Sequence, residues 1–240
     1  MKNHRIVRWI FIFFENMSKI SRGKAGEDKV IKILKKREEY FKLLNDITFK
    51  NENSEMTHQV DHIFINPHGV FVIETKNYFG EITVIQSENL WFKTVKGNKE
   101  KISNPLKQNR SHRQMVKKIL NGKFDVISLV VFVKNNAPYL GDENVINLKD
   151  LNAFIDTYPY ERILDEKEID DICKIIKSSS IKIKKSEHLE NISYLAQISK
   201  ERKQEIEYAI ESGKCPWCDK PIIQDGMNFR CSECNFKFKL

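Results

Sequence analysis

Two β-rich runs meet across Asn66-Pro67-His68-Gly69, and this hairpin constrains the chain more than any other feature. Gln59 to Ile65 and Val70 to Lys76 supply the strands. Asn, Pro and Gly at the first, second and fourth positions between them favour a type I turn. With Pro67-His68 as the loop, Asn66 pairs with Gly69, Asp61 stands opposite Glu74, and Gln59 stands opposite Lys76. Opposed residues and their i, i+2 neighbours share a face, which gathers these four side chains together. A three-residue loop with Gly69 as a bulge would instead set Asp61 opposite Thr75. Carboxylates at strand-pair distance repel unless something positive separates them. Mg²⁺ suits such a place, because it takes few carboxylates together with water and a phosphate oxygen. Lys76 beside it would hold a phosphate or orient water, and the set describes phosphodiester hydrolysis. The plainer alternative is a hairpin with charged ends.

Around the hairpin, Gly26 to Tyr40 reads as a helix, with Val30, Ile33 and Leu34 on one side. Ile47 to Phe49 reads as a first strand and Asn51 to Thr57 as a polar loop. Gly80–Ile85 and Leu90–Val95 give short strands. Pro105 opens a helix that stops at Gly122. Val126–Val133 is continuously apolar, as in a strand buried on both faces, and Val145–Leu148 adds an edge. Helical patterns follow at 149–156, 166–178 and 187–212, with a hinge expected over Ser178–Lys185.

The chain is 40% hydrophobic and 31% charged with a net charge of +8, a globular composition that excludes wholesale disorder and a multi-span membrane protein. The basicity is local. Residues 93–123 carry ten Lys/Arg against one acid, and residues 1–26 carry six against one, whereas 142–171 carries ten acids against three bases. Local surplus suits a phosphate-tracking surface; a solvated helix face is the bland reading. The apolar stretch Ile6–Phe14 is too short to span a bilayer and lacks a cleavage site. Packing on the domain or a partner is expected for it ahead of a peripheral membrane contact, and the protein is expected to be cytoplasmic.

Cys215, Cys218, Cys231 and Cys234 form C-x₂-C-x₁₂-C-x₂-C, a spacing that sets four thiolates at the corners of a Zn²⁺ tetrahedron. So short a segment cannot fold unaided, and the metal would supply the folding free energy. Trp217, Phe229, Arg230, Phe236, Lys237 and Lys239 either contact single-stranded nucleic acid or pack the module's own small core. Cys173 reads as a small buried hydrophobe. His58, His62 and His68 are weak zinc candidates, His112 reads as a phosphate contact or surface, and Trp91 and Phe92 read as core ahead of base stacking.

The chain resembles the nuclease-related domain (NERD) family of the PD-(D/E)xK restriction-endonuclease-like superfamily. The matching pieces are Gly23-Lys24-Ala25-Gly26-Glu27, Gln59-Val60-Asp61-His62, Gly69 through Asn77, Gly80-Glu81-Ile82, Trp91, and Asn104-Pro105-Leu106-Lys107-Gln108, in that order. They span roughly residues 20–135. The resemblance implies a mixed four-to-five-stranded α/β sheet flanked by helices. It also implies a Mg²⁺ (or Mn²⁺) site on Asp61 and Glu74, Lys76 as the catalytic lysine, Glu27 reaching the metal directly or through water, and Gln59 and Gln108 lining the site. A helix start at Gly26 would favour anions there. The superfamily's Pro-Asp is absent, since Val60 precedes Asp61. The cysteine module resembles a zinc ribbon, with likeness to the C-terminal fingers of type I topoisomerases. The expected organisation is an apolar, basic segment 1–20, a nuclease-like domain 21–160, a helical linker 161–211 and a ribbon 212–240. The expected function is a Mg²⁺-dependent DNA nuclease; a non-cleaving nucleic-acid-binding protein with the same fold is the alternative.

Overall fold

The computed structural model describes residues 21–50, 57–85, 87, 90–141, 144–160, 162–182 and 185–239. The apolar N-terminal segment and nearly all of the loop expected over Asn51–Thr57 lie outside them. Residues 21–50 and His58–Lys182 belong to one compact unit, and the residues from 185 onward belong to a second.

The first unit is a mixed α/β fold. Its five-stranded sheet has the order β1-β2-β3-β7-β8: β1 Lys42–Lys50, β2 Thr57–Asn66, β3 Gly69–Lys76, β7 Val126–Phe132 and β8 Val145–Asn147. A separate antiparallel meander holds β4 Glu81–Ile85, β5 Leu90–Val95 and β6 Asn98–Ile102. Helix α1 covers 21–34, α2 Pro105–Ile119, α3 Leu151–Thr157 and α4 Glu166–Ser178. No helix among the described residues is long and apolar enough to cross a membrane.

The hairpin has the two-residue loop. His62 pairs with Ile73 and Asn66 with Gly69. Asn66 Oδ1 accepts from the His68 amide at 3.1 Å, closing an Asx turn. Gly69 has φ +137°, and a Cβ there would meet Ile127 Cδ1 at 3.0 Å, so no larger residue fits without displacement. Strand β3 then runs parallel to β7, with Val70 beside Val126 and Lys76 beside Phe132. Val70 and Val72 pack under α2 and α4 with Val116, Leu120, Ile172 and Cys173. Phe71 and Ile73 face α1 and α3 with Val30, Leu34 and Ile155. Every side chain from Val70 to Ile73 is fully buried.

Three expectations need correcting. The first helix ends by residue 34 instead of reaching Tyr40, and Gly26 lies inside it, so it offers no helix N-terminus to an anion. The turn that ends it is tied down by Arg37, which reaches Glu39, Asn152 and Asp156. Strand β6 was not expected, because Asn98-Lys-Glu-Lys-Ile102 is polar in all but its last residue; it follows a two-residue turn in which Lys96 and Gly97 both have positive φ. Helix α4 is core rather than linker, since Ile169, Ile172, Cys173 and Ile176 are buried. Ile181 beyond it donates its amide to Thr48 O of β1 at 2.9 Å. Cys173 and Trp91 are buried as expected, with Trp91 stacked on Phe132.

Asn109 fastens α2 to the sheet. Fully buried, it points its Nδ2 at Val72 O (2.9 Å), Leu129 O (3.0 Å) and Ser128 Oγ (3.0 Å). Replacing a buried donor this well used leaves its acceptors unsatisfied. Asn109→Ala should lower unfolding free energy by about 2–3 kcal/mol in denaturant melts, against under about 0.5 kcal/mol for the exposed Gln114→Ala.

Candidate active site

The last residues of β3 turn from apolar to charged while staying buried. Glu74 is 2% exposed and Lys76 9% exposed. Both continue the Val70-Val72 face, and α2 meets them there. Lys76 Nζ donates to Glu74 Oε1 at 2.6 Å and to Gln108 Oε1 at 3.1 Å. Asn104 makes that encounter possible: its Oδ1 caps α2 by accepting from Lys107 N at 3.1 Å, and Pro105 follows in the first turn.

Asp61 lies one step beyond the paired ladder of β2 and β3. Its Oδ2 accepts from the Thr75 amide at 2.8 Å. Asp61, Glu74 and Lys76 line a cavity of about 850 Å³, together with Glu27 from α1, Asn77, Tyr78 and Phe79 from the loop after β3, and Lys93, Lys101 and Ile102 from the meander. A close approach brings Glu27 in: a Cβ on Gly26 would lie 2.8 Å from Asn77 Cβ, and Asn77 Nδ2 donates to Arg22 O at 2.7 Å. The Gly-x-x-Gly-Glu and Glu-x-Lys-Asn pieces of the sequence are therefore two halves of one contact.

Burial, then the neighbouring Glu74 carboxylate, pushes Asp61 up to about 7, against the pull of the Thr75 amide and Lys76. Burial also raises Glu74, with Lys76 opposing and Glu27 adding to the rise. Lys76 is raised in spite of its burial, by Glu74 first. Glu74 Oε2 is buried without a hydrogen-bond partner, with His112 Nδ1 at 3.6 Å. Here, then, are two carboxylates that resist ionising side by side, one with an unsatisfied oxygen, beside a charged lysine and a third carboxylate. Hard oxygen donors in this pattern fit Mg²⁺ or Mn²⁺. Glu27, Asp61 and Glu74 do not all lie within 4.8 Å of one another, and Glu74 has Lys76 as its ion-pair partner.

Other expected residues fall elsewhere. Gln59 donates to Asp46 Oδ1 at 3.2 Å instead of lining the cavity with Lys76. His62 turns away from Asp61 to Asn45 Oδ1 at 2.8 Å, and burial holds it down to about 4. His68 packs edge-on against Tyr160, so the three histidines form no ligand set. His112 is no surface residue, for it is 5% exposed beside Glu74. On a helix carrying Lys107, Arg110, Arg113, Lys117 and Lys118, one buried histidine gives no sequence signal.

In the second unit, α5 Lys185–Ser212 precedes a small sheet ordered β11-β10-β9: Ile222–Asp225 is β9, Asn228–Cys231 is β10 and Lys237–Lys239 is β11. The Sγ atoms of Cys215, Cys218, Cys231 and Cys234 lie within 4.8 Å of one another, the arrangement of a metal site, with Cys215–Cys234 at 3.5 Å and Cys218–Cys231 at 3.4 Å. Main-chain amides point at the sulfurs, Trp217 N at Cys215 and both Glu233 N and Cys234 N at Cys231. Phe236 is fully buried among the cysteines and Ala209, and Phe229 stacks on Phe238, so these aromatics pack the module's core. Trp217 is half exposed, with its Nε1 held by Glu205 at 2.8 Å and Arg202 over its ring.

Residues 22–133 match the family model described as "Nuclease-related domain". An uncharacterized protein of Bacillus anthracis is 31% identical over 143 residues, covering 57% of this chain and 67% of that protein. No solved structure matches the chain significantly.

Burial and the Glu74 carboxylate hold the folded Asp61 up to about 7, above its ordinary value of 3.8. Between those values the folded chain binds the extra proton, so stability falls as pH rises and levels off above about 7. Asp61→Asn removes that loss. Without added divalent cation, the variant should gain on wild type by an order of a few kcal/mol between about pH 4 and pH 7. Urea melts across that range check this, and a constant difference would contradict it.

Proposed function

The chain belongs to the nuclease-related domain family, and from that premise we propose that it is a Mg²⁺- or Mn²⁺-dependent nuclease that hydrolyses phosphodiester bonds, with DNA as its substrate on family analogy. The Asp61–Glu74 pair, with Glu74 buried and its Oε2 unsatisfied, carries the reading. Asp61 and Glu74 would hold the cation, with Glu27 completing the set directly or through water. A cation held there supplies Lewis acidity, which makes water a nucleophile near neutral pH and offsets charge on the phosphate.

The chain's own groups do the rest. Lys76 keeps its proton among the carboxylates and presents a positive charge to a phosphate oxygen entering the cavity. Gln108 Oε1 and Glu74 Oε1 both accept from that ammonium, so two contacts within the chain position it. The Thr75 amide fixes one oxygen of Asp61 and leaves the other for a cation. Lysines and arginines of 93–123 would track the backbone, making binding steeply salt-dependent.

The four-cysteine cluster would bind structural Zn²⁺ in a ribbon over 212–240, following a helical segment, and that module would contact nucleic acid through basic and aromatic groups. A cytoplasmic location fits these substrates.

With Mg²⁺ or Mn²⁺, wild type should cut DNA, and Asp61→Ala, Glu74→Ala and Lys76→Ala should each lose at least about a hundredfold in rate. Salt-sensitive binding without cutting by wild type would instead favour a non-cleaving binding protein. Purified protein should contain one equivalent of zinc by elemental analysis, and Cys231→Ser should lose it with unfolding of the C-terminal module while leaving the melting of the first unit unchanged.

A further inference from the structure

Phe79 is half exposed on the wall of the cavity that Asp61, Glu74 and Lys76 line, and the structure holds it there by four separate means. Asn136 Nδ2 donates to the carbonyls on both sides of it, Tyr78 O at 3.1 Å and Gly80 O at 2.6 Å. Gly80 has φ +86°, and a Cβ there would sit 2.1 Å from Thr94 O, so the turn presses on β5 at a point no other residue tolerates. Lys134 Nζ lies 4.1 Å over the ring centroid. At the other end of the loop, Asn77 is clasped to α1. Three of these restraints fix the main chain around Phe79 and one lies over its ring, so a held loop presents the side chain to the cavity.

Glu74 is buried, so a scissile phosphate must enter the cavity to reach it. A cavity of about 850 Å³ falls in the range of about 300–1,000 Å³ typical of small-molecule sites, with room for a nucleotide or two. Lys101 lines the same cavity, where it would meet backbone phosphate, and aromatic and cationic groups together are what a single strand requires of a protein.

We infer that Phe79 is a stacking platform for an unpaired base, and that the polymer entering this cavity is single-stranded or locally unpaired nucleic acid. The inference rests on reading the cavity as the nuclease site and names the substrate form that site takes. Phe79 touches the base next to the scissile phosphate, Lys101 meets the backbone, and the carboxylates and Lys76 meet the phosphate itself. Duplex ends and displaced strands enter only after fraying.

The test is a binding cycle with full-length Asp61→Asn protein, which leaves substrate uncut, with and without Phe79→Ala or Phe79→Trp. The probes are a short fluorescent single-stranded DNA, a series of the same strand with one base removed at each position in turn, and the matching duplex. Single strand should bind better than duplex. Phe79→Ala should weaken single-strand binding by about tenfold or more, and Phe79→Trp should retain it. At one position, removing the base should cost as much as Phe79→Ala, and the two losses should not add. Equal binding of single strand and duplex, an unaffected Phe79→Ala, or additive losses at every position would overturn the inference. Should the otherwise wild-type chain cut nothing with Mg²⁺ or Mn²⁺, the nuclease reading fails, while the binding cycle still decides the platform.

Discussion

A carboxylate and an ammonium 2.6 Å apart at the end of a strand whose preceding four residues are fully buried form the constraint on which the rest of this structure depends. Glu74 and Lys76 occupy β3, the strand hemmed in by β2 on one side and β7 on the other. Desolvating two charges costs several kcal/mol per ion unless each finds partners. Helix α2 supplies one with Gln108, and β2 sends Asp61 to the same end of the sheet. A second carboxylate there raises the cost further, and Asp61 responds by holding its proton to about 7. Such an arrangement is poor for stability. Groups perturbed in this way cluster at functional sites.

The loop after β3 converts this strained end into a cavity. Asn77 meets α1 where Gly26 leaves room, which delivers Glu27. Gly80 meets β5 where only a glycine fits, which delivers the meander and its lysines. Four residues therefore bind the sheet, the first helix and the second sheet into one enclosure. Asn109 does for α2 what Asn77 does for α1, by spending a buried amide on strand carbonyls rather than on solvent.

How much of this was legible follows from what kind of signal each residue leaves. The hairpin register is local: Asn66, Pro67 and Gly69 select a turn, and the turn sets which residues face one another. Asp61, Glu74 and Lys76 could thus be brought together without a structure, and the four cysteines by spacing alone. Gln59 was misplaced because pairing stops at His62 and, three residues past it, Gln59 bonds instead to Asp46 of β1. Strand β6 was hidden by its charges, since an edge of a small meander needs few apolar side chains. Asn109 and His112 were hidden in a basic helix, where polarity suggests solvent. Their burial depends on how α2 lies on the sheet, which no period in the helix reports. Phe79 left no signal because its restraint comes from Asn136, Thr94 and Lys134, all distant in the chain.

The central claim is that Asp61 and Glu74 hold a divalent cation, and anomalous scattering from crystals soaked in Mn²⁺ tests it directly. The account predicts a peak between the two carboxylates, within ligating distance of both and separate from the cysteine cluster. Ordered Asp61 and Glu74 side chains with no such peak, or manganese bound only elsewhere, would contradict it.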